Sequence, residues 1–198
     1  MRLTLASQSA SRRAMLTAAG VPHEAVAALV DEDAAKATFA AQGLSPRDTA
    51  DALAELKASK VAALGAPGLI LGCDSIVALH DGRLLDKPVS RADAAEHLAA
   101  MSGQVHDLWS AAVIVEGTRP VWRHVERARM HVRPLSPAFI DAYLDAEWPA
   151  IGACVGCYRI EGPGVQLFSR IEGSHFTILG LPLLPLIGYL RTRGVLTS

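Results

Sequence analysis

Leu5-Ala6-Ser7-Gln8-Ser9-Ala10-Ser11-Arg12-Arg13 is the stretch on which the reading of the fold turns. An apolar start, a run of small hydroxyl residues and two arginines predict a strand, a tight loop and a helix entry. Such a loop offers hydroxyls and backbone N–H groups at the positive end of a helix, with two guanidiniums beside them. That combination suits phosphate oxygens. Serines before a helix are also ordinary N-caps, so the segment alone leaves both readings open.

Outward from it, the pattern predicts a helix over Arg12–Ala19 that stops at Gly20. The apolar stretch Ala25–Val30 leads into an acidic bend, Asp31-Glu32-Asp33. Ser45-Pro46 reads as an N-cap with proline at N1, opening a long alanine-rich helix from Arg47 to Leu64. Leu69-Ile70-Leu71-Gly72 reads as a short buried strand, with extended character resuming over Ile76–Leu79. Asp81-Gly82 marks a hairpin, and Ser90 caps a helix over Arg91–Met101. Val105–Val115 and Val121–Val132 predict two long antiparallel strands around Gly117-Thr118. Pro137–Ala146 is a helix, Val165–Ile171 a strand and Leu183–Arg193 a closing helix before Gly194. Strands and helices mixed throughout give an α/β architecture, one domain or two closely joined lobes.

Composition narrows the function classes. Nineteen basic residues against 20 acidic ones, net charge −1 over 198 residues, lack the basic excess of a general nucleic-acid binder. No run of eighteen apolar residues predicts a membrane span, and the start lacks a secretory signal, so a soluble, cytoplasmic protein is expected. Of the three cysteines, Cys154 and Cys157 have redox or half-zinc-site spacing, but no second pair completes a tetrahedral site. Small buried thiols in a glycine-rich turn are the simpler reading.

Asp74 follows the buried strand in Leu71-Gly72-Cys73-Asp74-Ser75, so a carboxylate is expected at a strand end facing a cleft. It can bind a divalent cation, activate a water, or merely bond loop amides. Glu32, Lys57 and Lys87 each read alone as solvated groups. Taken together, carboxylates, arginines, lysines and a serine-rich turn are the set that holds a metal–triphosphate and attacks it.

The order of these segments resembles the Maf family of nucleoside triphosphate pyrophosphatases over nearly the whole chain. The first loop is similar to the family's LASxSxxR opening, Ala28–Glu32 to its acidic segment, and Leu53–Ala58 to its LAxxKA helix. Gly72-Cys73-Asp74-Ser75-Ile76-Val77 looks like its G-x-D strand, Asp86-Lys87-Pro88 like a G-K-P variant, and Ser102–His106 like its SGxxH turn. Tyr158–Gly162 and Ile171–Gly173 with Gly180–Leu183 match the closing segments.

The resemblance implies one domain over residues 1–198, with a mixed twisted sheet, flanking helices and two lobes around a cleft, like the inosine triphosphatases. It implies hydrolysis of a nucleoside triphosphate between the α and β phosphates, with Mg²⁺ or Mn²⁺. Asp74 would then be the general base, Glu32 with Asp74 the metal-holding carboxylates, and Lys57 and Lys87 catalytic cations. Ser7, Ser9, Ser11, Arg12, Arg13, Ser75 and Glu161 would contact substrate. A homodimer is also implied.

Three family positions differ between branches. Arg, Thr and Gln in the dTTP/UTP branch, and Trp, Gln and Glu in the 7-methyl-GTP branch, are matched here by Ser11, Ser75 and Glu161. Glu161 sides with the second branch, since a carboxylate suits the N–H donors of a guanine edge. Ser11 lacks the aromatic plate that stacks a cationic base. The base preference therefore tilts toward a modified purine or another non-standard nucleotide. A second reading, from a different class, is a nucleotide-binding regulator of septation that needs no turnover. His106 has a structural reading and a site reading, and His175 and Phe176 are placed near the mouth of the cleft.

Overall fold

Short polar caps set most of the helix starts, in a computed structural model that describes residues 2–197. Helices α1 (Ala10–Ala18), α3 (Pro46–Ala63), α4 (Arg91–Met101) and α5 (Pro137–Glu147) begin at Ser9, Ser45, Ser90 and Ser136. Each serine side chain accepts a backbone N–H three residues on. Asp31 does the same for α2 (Glu32–Ala41), accepting from Ala34 at 3.0 Å. Such caps contribute about 1 kcal/mol each. Helices α6 (His175–Ile178) and α7 (Leu183–Thr192) close the chain.

The strands are β1 (Leu3–Leu5), β2 (His23–Ala25), β3 (Leu69–Leu79), β4 (Leu84–Leu85), β5 (Val105–Glu116), β6 (Arg119–Val132) and β7 (Phe168–Glu172). They form one mixed sheet in the order β2-β1-β3-β5-β6-β7, with β4 added to β3. β2 and β3 run parallel to β1, in the registers Leu3↔His23 and Leu3↔Leu69, while β4 and β7 pair antiparallel with β3 and β6. This is the predicted mixed α/β sheet with helices between its strands.

Three local expectations need correction. The acidic bend at Asp31-Glu32-Asp33 is the start of α2: Asp31 is the cap, and the alanines beyond it favour helix. Residues 163–167 form a 3-10 turn opened by Pro163, so β7 starts only at Phe168. Asp74 does not end a strand but lies inside the eleven-residue β3.

The chain divides into two compact units. The first holds residues up to Ser75, Ser110–Glu126 and the segment from His175 on; the second holds Ile76–Trp109 and Arg127–Ser174. In the first, alternation along β1 and β3 sends Leu3, Leu5, Leu69, Leu71 and Cys73 into a buried cluster with Met15 and Leu16 of α1 and Leu186 and Leu190 of α7. Burial pushes the Cys73 thiol up to about 11, so it stays protonated as a small apolar filler. The opposite face of β3 meets α3. There Gly72 has no side chain for a steric reason: a Cβ would lie 1.9 Å from the carbonyl oxygen of Ala54 and 2.8 Å from the nitrogen of Ala58.

In the second unit, Leu98 and Met101 of α4, Leu108, Met130, and Tyr143 and Leu144 of α5 are buried. Tyr143 donates to the Cys157 carbonyl at 3.0 Å, and Tyr158 stands edge-on to Phe168. Arg91 at the start of α4 spans to Asp141 and Asp145 of α5, each at 2.6 Å.

Two glycines test this packing. Gly72→Ala is expected to cost about 3 kcal/mol or more in urea unfolding, because only backbone can give way. Gly188→Ala, on α7 with nothing beyond its own helix backbone and chain neighbours within 4 Å of the added carbon, is expected to stabilise by about 0.5–1 kcal/mol.

Candidate active site

The approach at Gly72 fixes what lies two residues further along the same face. Asp74 shares that face of β3, and Lys57 stands one turn beyond Ala54 on α3. Lys57 Nζ donates to Asp74 Oδ1 at 2.5 Å and lies 2.8 Å from Glu32 Oε1. Asp74 is 4% exposed and Lys57 8%, so this ammonium is not the solvated helical lysine its sequence context suggests. Glu32 arrives as the first residue of α2, held by the Asp31 cap. Two carboxylates of like charge thus share one buried cation, the arrangement that makes such a pair tolerable away from water.

Asp74 also lies past the point where β1 stops. The parallel ladder ends at Leu5↔Leu71, so the carboxylate stands just beyond the carboxyl end of the parallel strands. Open α/β sheets bind ligands there. The loop leaving β1 ends on the same side. Ser7 is buried and its Oγ accepts from the Ser9 nitrogen at 3.2 Å; Ser9 Oγ accepts from the Arg12 nitrogen at 3.3 Å. Ser11 is half-buried and Arg13 exposed on α1.

Arg12 is buried. Its Nε donates to the Gly180 carbonyl at 2.7 Å, Nη1 to the Cys73 carbonyl at 3.0 Å and to Ser7 Oγ at 3.4 Å, and Nη2 to Ser75 Oγ at 3.1 Å. Ser75 Oγ and Ser110 Oγ are 2.9 Å apart; Ser110 Oγ donates to the Thr177 carbonyl at 2.8 Å, and Thr177 Oγ1 donates to Glu126. Sequence reasoning did not find Ser110, Thr177 or Gly180 as partners. The available signal was Ser110 itself, a lone hydroxyl within the apolar run of β5.

Lys87 and Glu161 belong to the second unit, and both are exposed. Glu161 ends a segment anchored by Arg159, which donates from Nε and Nη2 to the buried Glu147 carboxylate at 3.0 and 2.8 Å. Cys157 Sγ lies 3.4 Å from His97 Nδ1, and burial pushes that thiol up to about 12. Cys154 and Cys157 are free thiols; Cys157 is buried, as the simpler reading expects, while Cys154 is half-buried. His106 lies inside the second unit with Nε2 3.0 Å from the Tyr158 hydroxyl. His175 is exposed and Phe176 half-buried; Phe176 packs on the first unit's core.

With this geometry in place, the description of Maf-like proteins matches residues 2–193 of the chain. The chain belongs to the Maf family. This Maf chain is 50% identical over 196 residues to a nucleoside triphosphate pyrophosphatase of Sphingopyxis alaskensis, covering 98% of each. It is 48% identical over 196 residues to a 7-methyl-GTP pyrophosphatase of Rhizobium meliloti, covering 99% of this Maf chain and 98% of the relative. Among solved structures it is similar to a nucleoside-triphosphatase / dITP/XTP pyrophosphatase from Mycobacterium abscessus. The identity there is 18%, the coverage 98% and 96%, and the TM-score 0.45.

Burial lowers the pKa of His106 to about 4, outweighing the opposite pull of Asp107. The unfolded chain therefore takes up a proton near pH 6.5 that the folded chain refuses until about pH 4. Stability is expected to fall as pH drops through that window. In urea unfolding at a series of pH values, His106→Gln should remove up to about 3 kcal/mol of that fall.

Proposed function

We propose that this Maf chain hydrolyses nucleoside triphosphates between the α and β phosphates, releasing a nucleoside monophosphate and pyrophosphate. The observation that carries the proposal is the buried Lys57 ammonium shared by Asp74 and Glu32 beside the serine-rich loop. Full-length likeness to relatives named nucleoside triphosphate pyrophosphatase supports the same chemistry.

Phosphoryl transfer asks mostly for positioning and charge neutralisation. The hydroxyls and N–H groups of the Ser7–Ser11 loop, at the positive end of α1, take phosphate oxygens, with the exposed Arg13 adding charge; a like role for Lys87 rests on the family resemblance alone. Asp74 accepts the proton of the attacking water. Lys57 holds the Asp74 carboxylate in place and counters the charge of Glu32 beside it. By the family resemblance alone, Glu161 would accept N–H donors of the base, which favours a guanine-type or modified purine edge.

Glu32 and Asp74 fit a divalent ion. Their oxygens converge on one cation already, and they are hard donors. Mg²⁺ commonly takes one or two carboxylates and completes its shell with phosphate and water. Among the described residues, no group of three or more His, Cys, Asp or Glu gathers to hold an ion without that help. When bound by Glu32 and Asp74, Mg²⁺ or Mn²⁺ would supply neutralisation of phosphate charge. A homodimer, which rests on the family resemblance, and a cytoplasmic location, expected from the sequence, belong to the same proposal. No helix among the described residues is long and apolar enough to cross a membrane.

The test is pyrophosphate release from a panel of standard, methylated and oxidised triphosphates with Mg²⁺ or Mn²⁺. Asp74→Asn is expected to lower kcat by about 10²–10⁴-fold, and chelation of the metal to stop release. Glu161→Gln is expected to change the ranking of bases. Tight nucleotide binding with no release from any substrate would leave the regulator as the better reading.

A further inference from the structure

Arg12 and Ser75 stand where substrate contacts were expected, yet the protein itself engages both. A guanidinium has five N–H donors, and all but one of those on Arg12 are taken by Gly180, Cys73, Ser7 and Ser75. The side chain is 9% exposed. Those acceptors are neutral, so the guanidinium keeps its full charge and lends it to the loop as a field.

The proton count at Ser75 follows from its neighbours. Ser110 Oγ gives its one proton to the Thr177 carbonyl, so in the Ser75–Ser110 pair the donor is Ser75. Ser75 also accepts from Arg12. Its hydroxyl therefore has no proton left for a base acceptor. Gly180 completes the arrangement: it has φ +97°, and an added Cβ would lie 3.2–3.3 Å from Arg12 Nε and Nη2 and from Ser75 Oγ.

We infer that Arg12 is a positioning residue rather than a phosphate ligand, and that Ser75, at the family's base-selecting position, acts through it. Arg12 ties three pieces of chain together: the Ser7 loop, the Cys73–Ser75 part of β3 and the Gly180 turn. Ser75 fixes the fork by accepting from Nη2 while Ser110 anchors Ser75 in turn. Ser75 then has no proton with which to select a base acceptor, and its hydroxyl serves the fork. This inference rests on the proposed reading of the loop as the phosphate site.

The experiment compares Ser75→Ala, Ser75→Thr, Arg12→Lys and the Ser75→Ala/Arg12→Lys pair. Thermal unfolding checks that each folds. kcat and KM are measured across purine and pyrimidine triphosphates, and tripolyphosphate binding is measured by calorimetry. Ser75→Ala is expected to lower kcat about tenfold by the same factor for every base, and to weaken tripolyphosphate several-fold although Ser75 touches no phosphate. Ser75→Thr should restore both, since it keeps the hydroxyl. The pair should cost no more than Arg12→Lys alone, because lysine cannot form the fork.

Re-ranking of bases by Ser75→Ala, with tripolyphosphate binding intact, would overturn the inference by making Ser75 a base reader. Weakened tripolyphosphate binding in Arg12→Lys but not in Ser75→Ala would overturn it by making Arg12 a direct ligand. Should Arg12→Lys not fold, the Ala and Thr variants of Ser75 decide alone. Absence of pyrophosphate release by the wild-type protein would instead count against the proposed activity, and calorimetry would still judge the role of Arg12.

Discussion

The contact between Gly72 and the backbone of Ala54 governs the rest of the first unit. Helix and strand can approach this closely only because one residue has no side chain and the helix face carries Ala50, Ala54 and Ala58. Interiors are packed too tightly for such a contact to relax by small shifts. The consequence is chemical as well as mechanical. With α3 pressed onto β3, a lysine on the helix reaches a carboxylate on the strand across a single hydrogen bond, in a place where neither has much water.

A buried charge needs a partner, and this unit supplies partners of two kinds. Lys57 is met by carboxylates, which hold it and are held by it. Arg12 is met by neutral oxygens: two main-chain carbonyls and two hydroxyls. Carbonyl acceptors bind the guanidinium without neutralising it. One cation thus organises the acidic side of the site. The other organises its loops and brings them a positive charge that no carboxylate offsets directly.

In the second unit the segment before Glu161 is fixed by pairs distant from one another in sequence. Arg159 is bound to Glu147, Tyr143 to the Cys157 carbonyl and Cys157 to His97. The 3-10 turn that follows packs with Gly164, whose added Cβ would lie 2.5 Å from the Arg159 carbonyl. Local β-propensity over Val165–Ile171 lost to this turn because Pro163 and Gly164 shape the chain before the strand can begin.

The sequence alone determined the alternation of strands and helices, the serine caps at Ser45 and Ser90, the long helix after Pro46 and the hairpin at Asp81-Gly82. These depend on neighbours within a few residues. It also marked Asp74, Glu32 and Lys57 as chemistry-bearing types, through the order of motifs that resembles the family. It misjudged α2, because an aspartate in an acidic run reads as a bend until its side chain is seen capping Ala34. Only the tertiary structure decided that Lys57 is buried between two carboxylates, and that Arg12 and Ser75 are bound to Gly180 and Ser110. Periodicity states which face a residue occupies; it does not state how near another element comes to that face. That distance is set by steric contact between segments far apart in the chain, and hydrogen bonds a few ångströms long follow from it.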